Sequence, residues 1–385
     1  MLIKKRPNWI PEHVWLSLMR QRDRRKHLRR QILRFFRSPA LAIAYSHYRK
    51  AIKQADWQSV KQAALEIRDI ALKVGDRRTI LDAVHALDRL GCYQESANLW
   101  LNEIAPSISK LPNEWRGENL SNKNIMINLK RTAGDGLGVA FRCASLLPKV
   151  AALSRDTTVI VETRLVKIFQ RSFPEIRFQD SVDETISKSF DYVVLPETLL
   201  AAFAPNDSSD FEFRALSADR DKAMELRAKY SSAHTQKKPL IGICWYSSHH
   251  GKDLPGLNYW RDFIGQHDAT FVSLQYGDVS KAVNVFHPDR IIVDQSIDQL
   301  VDMDAFVAQV SALDGVITII NTLVHVSAAL GVPTVVLRDD WFRRDLPVLS
   351  DTVPWYPTLR VAGKNRRDWA PVFDEAFAKL NAIQR

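Results

Sequence analysis

Cysteine is scarce in this sequence, and long apolar runs are missing. The 385 residues include three cysteines, Cys92, Cys143 and Cys244, which lie far apart and form no C-x-x-C pair. This odd, scattered set argues against a disulfide framework or a structural zinc site and fits a reducing compartment. No run approaches 18 apolar residues, and one of the densest (GVITII, 315–320) has only the length of a strand, so we predict no transmembrane helix. The basic N-terminal residues precede no apolar stretch, so we expect no secretory signal.

The excess of positive charge is confined to the N-terminus. Residues 1–37 contain twelve Lys or Arg against two acidic residues, which accounts for the whole net charge of +10. We predict a basic helical arm over 1–39, with aromatic members such as Trp15 and Phe35. An arm of this kind can lie on an anionic membrane surface or bind an acidic partner, and a solvated helix is the alternative. Because the rest of the chain has no net charge, we expect no nucleic-acid partner, with binding through the arm alone as the remaining alternative.

Residues 40–107 have helical periodicity throughout, and the module predicted from them extends over 40–118. Apolar residues recur at three- and four-residue spacing, and Gly75 and Gly91 mark breaks between helices. The segment 85–103 (HALDRLGCYQESANLWLNE) resembles half of a tetratricopeptide repeat, and the region holds only about two helix pairs. We therefore predict a small all-α module that docks onto the body of the protein or a partner, or that has no binding role.

Short β-rich runs alternate with helical stretches after Ser121. This alternation predicts parallel sheets built from right-handed βαβ units, hence an α/β fold of two Rossmann-like domains, at 120–235 and 236–385. In such sheets ligands bind beyond the carboxyl ends of the strands. The predicted strands are 125–130, 157–162 and 191–195 in the first domain, and 239–246, 269–276, 290–294, 315–320 and 333–338 in the second.

A glycine-containing loop follows the first predicted strand. It reads RTAGDGLG over 131–138, and Gly134 and Gly136 allow tight turning and close approach of a ligand. Asp135 is the loop's one carboxylate. In a cleft it could act as a general base, and the alternative is a cap of the next helix.

Two polar loops follow strands of the second predicted domain. The loop after 239–246 reads SSHHGK and contains Ser247, His250 and Lys252, which suit a phosphate-binding loop or an exposed polar loop. The loop after 315–320 begins with Asn321 and Thr322 at a helix N-cap position, and His325 falls in the first turn, where the helix dipole favours a diphosphate.

Two D-x-D triplets could be taken for a metal–sugar-nucleotide motif. Asp219 and Asp221 open one helical stretch, and Asp302 and Asp304 open another. Carboxylates at these places cap helices and complement the dipole, so we interpret both triplets as helix starts and predict no metal site.

The second half of the chain resembles a known enzyme family. The segments GICWYSSHHGKDLPGLNYWRDF, TFVSLQYGD, DMDAFVAQVSALDGVITIINTLVHVSAALGVPTVVL and PWYP are similar to the heptosyltransferase-like group, glycosyltransferase family 9. The resemblance covers roughly 120–375, is densest over 239–357, and is closest to bacterial members with tetratricopeptide helices before the enzyme domain. It implies a GT-B fold and metal-independent, cofactor-free transfer of a sugar from a nucleotide donor.

The resemblance also implies roles for individual residues. Asp135 falls on the acidic position of the family's G-x-G-D loop and would be the base that activates the acceptor hydroxyl. Lys252 sits where a basic residue meets the donor diphosphate, and the run from Asn321 to His325 matches an N-T-x-V-H loop that contacts the donor phosphates. The expected substrate-binding residues are Gly134, Gly136, Ser247, His250, Lys252, Asn321, Thr322 and His325.

The resulting hypothesis is a cytoplasmic glycosyltransferase, free or peripheral at the inner membrane face. Its acceptor would be a bacterial cell-surface glycan, a lipid-linked sugar or a protein. Thr132 and Ile320 depart from the family's usual Gly and Asp, which favours a non-catalytic GT-B-like scaffold as the alternative. A sugar-nucleotide epimerase of the same fold is a further alternative.

Overall fold

The computed structural model describes most of the chain beyond the N-terminal 37 residues. The predicted basic arm therefore lies outside the described residues, apart from its last two positions. Among the residues that are described, no helix is both long and apolar enough to cross a membrane. The described ranges are 38–54, 56–75, 77–108, 111–130, 137–181, 189–205, 213, 215–232, 238–247, 254–338, 346–347, 350–363 and 368–383.

The chain divides into two compact units, 1–87 and 88–385. The first contains α1 (Pro39–Gln54), α2 (Trp57–Val74) and most of α3 (Arg77–Arg89). Asp56 caps α2 by accepting a hydrogen bond from the Ser59 backbone N–H (3.1 Å). Gly75 ends the same helix with a left-handed φ of 64°, a conformation that costs glycine little, so the predicted break is confirmed.

The second unit begins within α3 and continues with further helices. These are α4 (Tyr93–Leu99), a π-helical turn (Trp100–Ile104) and α5 (Ala105–Ile108), preceded by Gly91 at φ 75°. The Gln94 amide donates to the carbonyl of Ala204 (2.6 Å). Residues 88–118 of the predicted helical module are thus packed within the unit that holds both sheets.

A four-stranded parallel sheet forms the first α/β region. Its order is β3-β2-β1-β4, and the strand-end rule makes the loop after β1 a candidate ligand site. The elements are β1 (Asn124–Asn128), α6 (Gly138–Cys143) with a 3-10 turn (Ala144–Leu146), α7 (Leu147–Leu153), β2 (Asp156–Ile160), α8 (Thr163–Ser172), β3 (Arg177–Gln179), β4 (Tyr192–Val194) and α9 (Pro196–Ala202).

A seven-stranded sheet forms the second α/β region. Its order is β10-β11-β9-β8-β5-β6-β7, and every pair is parallel except β10 with β11. The elements are α10 (Arg220–Ser231), β5 (Leu240–Cys244), α11 (Leu257–Gln266), β6 (Thr270–Ser273), α12 (Ser280–Val283), a 3-10 turn (Pro288–Arg290), β7 (Ile291–Ile292), α13 (Met303–Ser311), β8 (Gly315–Ile319), α14 (Thr322–Ala329), β9 (Thr334–Leu337), β10 (Thr352–Val353), β11 (Tyr356–Ala362) and α15 (Ala370–Ile383).

The α/β fold class predicted from the sequence is confirmed. All eight predicted strands are present, because each is a short β-branched run between helical segments. Three strands, β3, β10 and β11, were not predicted. Strands β3 and β10 have only three and two residues, too few to give a pattern in the sequence. Strand β11 contains Pro357, a residue that argues against a strand.

The helices of the two sheets share one hydrophobic core within the second unit. Phe141 of α6 and Phe169 of α8 belong to the same buried cluster as Val307 of α13 and Val324 of α14. Arg171 on α8 also forms an ion pair with Asp304 on α13 (2.5 Å).

The Asp304 carboxylate is charged in the folded protein. Burial alone would raise its pKa, but the hydrogen bonds from Arg171 and Lys167 have the larger effect and lower it.

Helix caps account for the D-x-D triplets. The Asp302 side chain accepts from the Ala305 backbone N–H at the start of α13 (2.9 Å), and Asp219 accepts from the Lys222 N–H at the start of α10 (3.1 Å). Both caps confirm the interpretation made from the sequence. Asp304, the second carboxylate of its triplet, pairs with Lys167 (2.8 Å) and Arg171 (2.5 Å).

Helix α10 packs against the second sheet's side of the unit. Its Tyr230 hydroxyl and Lys229 ammonium both donate to Asp294, each at 2.8 Å, and the Asp294 side chain is only 2% exposed. Arg227 of the same helix pairs with Asp314 (2.6 Å) at the start of β8. Helix α10 lies within the range predicted for the first α/β domain, and its polar contacts are with the second sheet's elements.

Candidate functional site

The carboxyl ends of β5 and β6 are joined through the side chain of Gln275. This residue lies two positions past β6 and is buried. Its Oε1 accepts from the backbone N–H groups of Trp245 (3.2 Å) and Tyr246 (2.8 Å), and from the Cys244 thiol (3.1 Å). One amide oxygen therefore fixes the first residues of the loop that leads to Ser247.

Asn321 extends this network to the end of β8. Its Oδ1 accepts from the Leu323 backbone N–H (3.0 Å), which caps α14 as predicted, and its Nδ2 donates to the Cys244 sulfur (3.0 Å). The buried thiol thus connects Asn321 with Gln275. Three neighbouring strand ends of the parallel sheet are tied together by side chains at the edge where ligands bind.

His325 lies where the two α/β regions meet. Its Nδ1 and the Tyr356 hydroxyl, at the start of β11, are joined by a hydrogen bond of 3.1 Å. Gly138, the first residue of α6, packs against the other edge of the ring: a Cβ at this glycine would lie 2.6 Å from His325 Cδ2 and 3.4 Å from Nε2. A Cβ at position 138 would force the imidazole to shift.

Trp355 links the same turn to two helices. The guanidinium of Arg142, on α6, lies 4.7 Å from the indole centroid, and the ring of Tyr93, on α4, packs edge-on at 4.8 Å. Burial raises the pKa of Tyr93, with only partial compensation from the charge of Arg142, so its hydroxyl stays protonated at all relevant pH. Trp355 and Tyr356 together contact α4, α6 and α14.

The structure describes four of the predicted site residues. Ser247 is half-buried three residues past β5, Asn321 caps α14, Thr322 begins that helix, and His325 ends its first turn. The remaining predicted residues, together with Thr132, lie outside the described residues: Gly134, Asp135, Gly136, His250 and Lys252.

Two residues of this region were not predicted from the sequence. Gln275 is a polar residue just after a buried strand, in the segment TFVSLQYGD, and this is the same signal that identified Asn321. Tyr356 lies in the segment PWYP, and no neighbouring residue in the sequence indicates its contact with His325, 31 positions earlier. Among the described residues, no three His, Cys, Asp or Glu side chains are grouped so as to hold a metal ion.

Comparison with known proteins gives a distant sequence relative. No family model matches the chain. The protein FlbA of Caulobacter vibrioides is 26% identical over 340 residues, which cover 80% of this chain. The match covers 54% of FlbA, so the chain spans about half the length of that curated relative.

Solved structures similar to this chain include three bacterial glycosyltransferases. A glycosyltransferase family 9 structure from Veillonella parvula has 12% identity and a TM-score of 0.49, covering 70% of this chain and 99% of that one. The ADP-heptose lipopolysaccharide heptosyltransferase II of E. coli has 14% identity and a TM-score of 0.47, with coverages of 68% and 98%. The iron-containing dodecameric glycosyltransferase TibC of E. coli has 11% identity and a TM-score of 0.45, with coverages of 69% and 76%.

The observed architecture decides the fold. Two parallel-sheet regions, each with helices between its strands, follow one another in a single compact unit. The chain has an α/β fold of two parallel-sheet regions. The glycine-containing loop precedes α6 of the first region, and the Asn321 loop leads into α14 of the second.

Replacing Gln275 by Leu is expected to lower the free energy of unfolding of the sheet-containing unit by about 1–3 kcal/mol. The change leaves the backbone N–H groups of Trp245 and Tyr246 and the buried Cys244 thiol without the acceptor that they share. Gln275→Glu keeps an acceptor oxygen and serves as the matched control. Denaturant unfolding of the three proteins measures the effect, and identical midpoints for wild type and the Leu variant would contradict it.

Proposed function

We propose that this protein is a glycosyltransferase that transfers a sugar from a nucleotide-diphosphate donor to an acceptor hydroxyl. The acceptor is a bacterial cell-surface glycan, a lipid-linked sugar or a protein. The observation that carries the proposal is the packing of His325 against Gly138. These residues belong to the two loop–helix junctions to which the family resemblance assigns the donor phosphates and the catalytic base.

The donor diphosphate is proposed to bind at the carboxyl edge of the seven-stranded sheet. Helix α14 begins there with Asn321 as its cap, so the positive end of its dipole faces an anion at that edge. The loop after β5 is adjacent because β5 pairs with β8. Lys252, in that loop, supplies the mobile positive charge, and His325 adds an imidazole N–H.

The acceptor hydroxyl is proposed to be activated by Asp135. This residue stands three positions before Gly138 along the chain, on the side of the first α/β region. Its carboxylate takes the hydroxyl proton as the acceptor oxygen bonds to the anomeric carbon and the bond from that carbon to the diphosphate oxygen breaks. The nucleoside diphosphate leaves with the added negative charge, which Lys252, His325 and the start of α14 stabilise without a metal ion.

A second candidate function is a non-catalytic scaffold of the same fold. The observation in its favour is Ile320, which is buried in the shared hydrophobic core just before the Asn321 cap. The family commonly has an acidic residue at this position. A scaffold would bind a sugar nucleotide or a protein partner without turnover.

Thermal unfolding with a panel of nucleotide sugars and free nucleotides tests the donor site. A ligand present at a hundred times its dissociation constant adds about 2.7 kcal/mol of stability, so one nucleotide sugar is expected to raise the melting temperature selectively. Lys252→Ala and His325→Ala are each expected to reduce that shift. Lys238→Ala is the matched control, because Lys238 precedes β5 at the opposite end of the same strand and pairs with Asp268.

The panel also separates the candidate functions. A shift with one nucleotide sugar, followed by consumption of that donor only when an acceptor is present, supports a transferase. A shift without turnover supports the scaffold, and consumption of the donor alone indicates an epimerase. No shift with any member would contradict the proposed donor site.

A further inference from the structure

We propose that Tyr356 is a positioning residue that sets the tautomer of His325 for donor binding. Its hydroxyl donates a hydrogen bond to His325 Nδ1, so that Nε2 carries the imidazole proton and donates to the diphosphate of a nucleotide sugar. The inference deepens the proposed function and rests on it for the identity of the ligand. The hydrogen bond itself can be tested without any ligand.

The Tyr356 hydroxyl is held in place by the sheet. The residue is 3% exposed, begins β11, and pairs with Val353 of β10 across the antiparallel turn. The phenol and imidazole rings lie 5.9 Å apart between centroids, and the Nδ1–Oη distance is 3.1 Å. β11 also pairs with β9 in the parallel part of the sheet, so a neighbouring strand holds β11 on each side.

The chemistry of a neutral imidazole selects one direction for this bond. Only one ring nitrogen carries a proton, so donation by Tyr356 to Nδ1 places the proton on Nε2. The reverse direction would present a lone pair at Nε2 to the lone pairs of a phosphate oxygen. A neutral imidazole can therefore donate from Nε2 to an anionic ligand only when Tyr356 is the donor to Nδ1.

The contact with Gly138 shows which edge of the ring meets the first α/β region. The Cδ2 atom is the ring atom nearest to where a Cβ of that glycine would be (2.6 Å), with Cγ and Nε2 both at 3.4 Å, and Nδ1 is bonded to the Tyr356 hydroxyl. Trp355, the residue before Tyr356, contacts α6, because the Arg142 guanidinium of that helix lies over the indole ring. The Trp355–Tyr356 dipeptide thus fixes both the imidazole and the helix that the imidazole contacts.

The first test is the tautomer of His325 in the ligand-free full chain. Side-chain ¹⁵N resonances of histidine distinguish a protonated from an unprotonated ring nitrogen, and comparison with His325→Gln assigns them. We expect an acceptor-type Nδ1 and a protonated Nε2 in the wild type, with Tyr356→Phe shifting the Nδ1 resonance most. A proton on Nδ1 in the wild type, or an unchanged Nδ1 resonance in the Phe variant, would overturn the proposal.

The second test is a double-mutant cycle on nucleotide affinity, with ADP, GDP and UDP as probes. Tyr356→Phe is expected to lower the affinity for the nucleotide about tenfold, and His325→Ala to lower it at least as much. The double variant should bind the nucleotide no more weakly than His325→Ala alone, since both changes remove the same interaction with the ligand. Tyr93→Phe is the matched control, because it removes a hydroxyl from a ring that packs on Trp355 and leaves the His325 bond intact.

The outcomes of the cycle separate the two proposals. Additive losses, or wild-type affinity in Tyr356→Phe, would overturn the role of Tyr356 while leaving the donor site standing. If no nucleotide binds the wild type, the proposed function fails together with the donor role of His325, and the ¹⁵N resonances alone decide whether Tyr356 sets its tautomer.

Discussion

Asp135→Asn is expected to lower the rate of sugar transfer by about 10²–10⁴-fold, the usual effect of losing a general base, and to leave donor affinity unchanged. An amide keeps the size and shape of the carboxylate but cannot take the acceptor's proton. The donor diphosphate is assigned to groups of the other α/β region, so its binding should not depend on this side chain. Initial rates at saturating donor, together with the thermal shift by the same donor, measure the two effects separately.

The matched control for this variant is Asp191→Asn. Asp191 accepts from the Asn124 backbone N–H (2.8 Å) beside the amino end of β1, whereas Asp135 follows the carboxyl end of that strand. Hydrogen bonds from Asn124 and Lys123 hold the pKa of Asp191 below its usual value, against the opposing effect of burial. Its amide variant should transfer sugar at the wild-type rate. Unchanged turnover in Asp135→Asn would remove that residue from the mechanism, and loss of donor affinity would assign it to binding.

Asp294→Ala is expected to lower the free energy of unfolding of the sheet-containing unit by about 2–3 kcal/mol. The carboxylate accepts hydrogen bonds from Lys229, Tyr230 and Ser296, and its removal leaves the fully buried Tyr230 hydroxyl without its acceptor. Denaturant unfolding at neutral pH measures the loss. Asp262→Asn breaks a solvent-exposed pair with Arg261 and should change stability by less than about 1 kcal/mol.

The same carboxylate predicts an acid-sensitive contribution to stability. Burial alone would raise the pKa of Asp294, but the hydrogen bonds from Lys229, Ser296 and Tyr230 outweigh it and lower the pKa to about 2. Because the folded pKa lies below that of the unfolded chain, near 3.8, the contribution is complete above that value and is lost as pH falls from about 4 to about 2. The difference in stability between wild type and Asp294→Ala should shrink over this interval. A constant difference would show that the carboxylate's charge does not stabilise the fold.

Local patterns were enough to predict the fold class and one part of the candidate site. The Asn321 cap acts on a backbone N–H only two residues along the chain, so its role follows from sequence order. Gln275 acts on residues about 30 positions earlier, and its importance depends on β5 and β6 being neighbours in the sheet. Tyr356 reaches His325 because β11 pairs with β9, and β11 was not predicted because Pro357 lies within it. Side chains that join distant strands leave no periodic signal.

The contact between Tyr93 and Trp355 limits where the N-terminal helices could be exchanged by recombination without loss of packing. A recombination event that replaced everything before β1 would separate Trp355 from the aromatic ring that packs on it, and would also take away Gln94, which is bonded to Ala204. A crossover close to residue 88 keeps these contacts together, because the compact unit begins there. The smallest block that keeps these contacts together therefore consists of both sheets with α4 and α5.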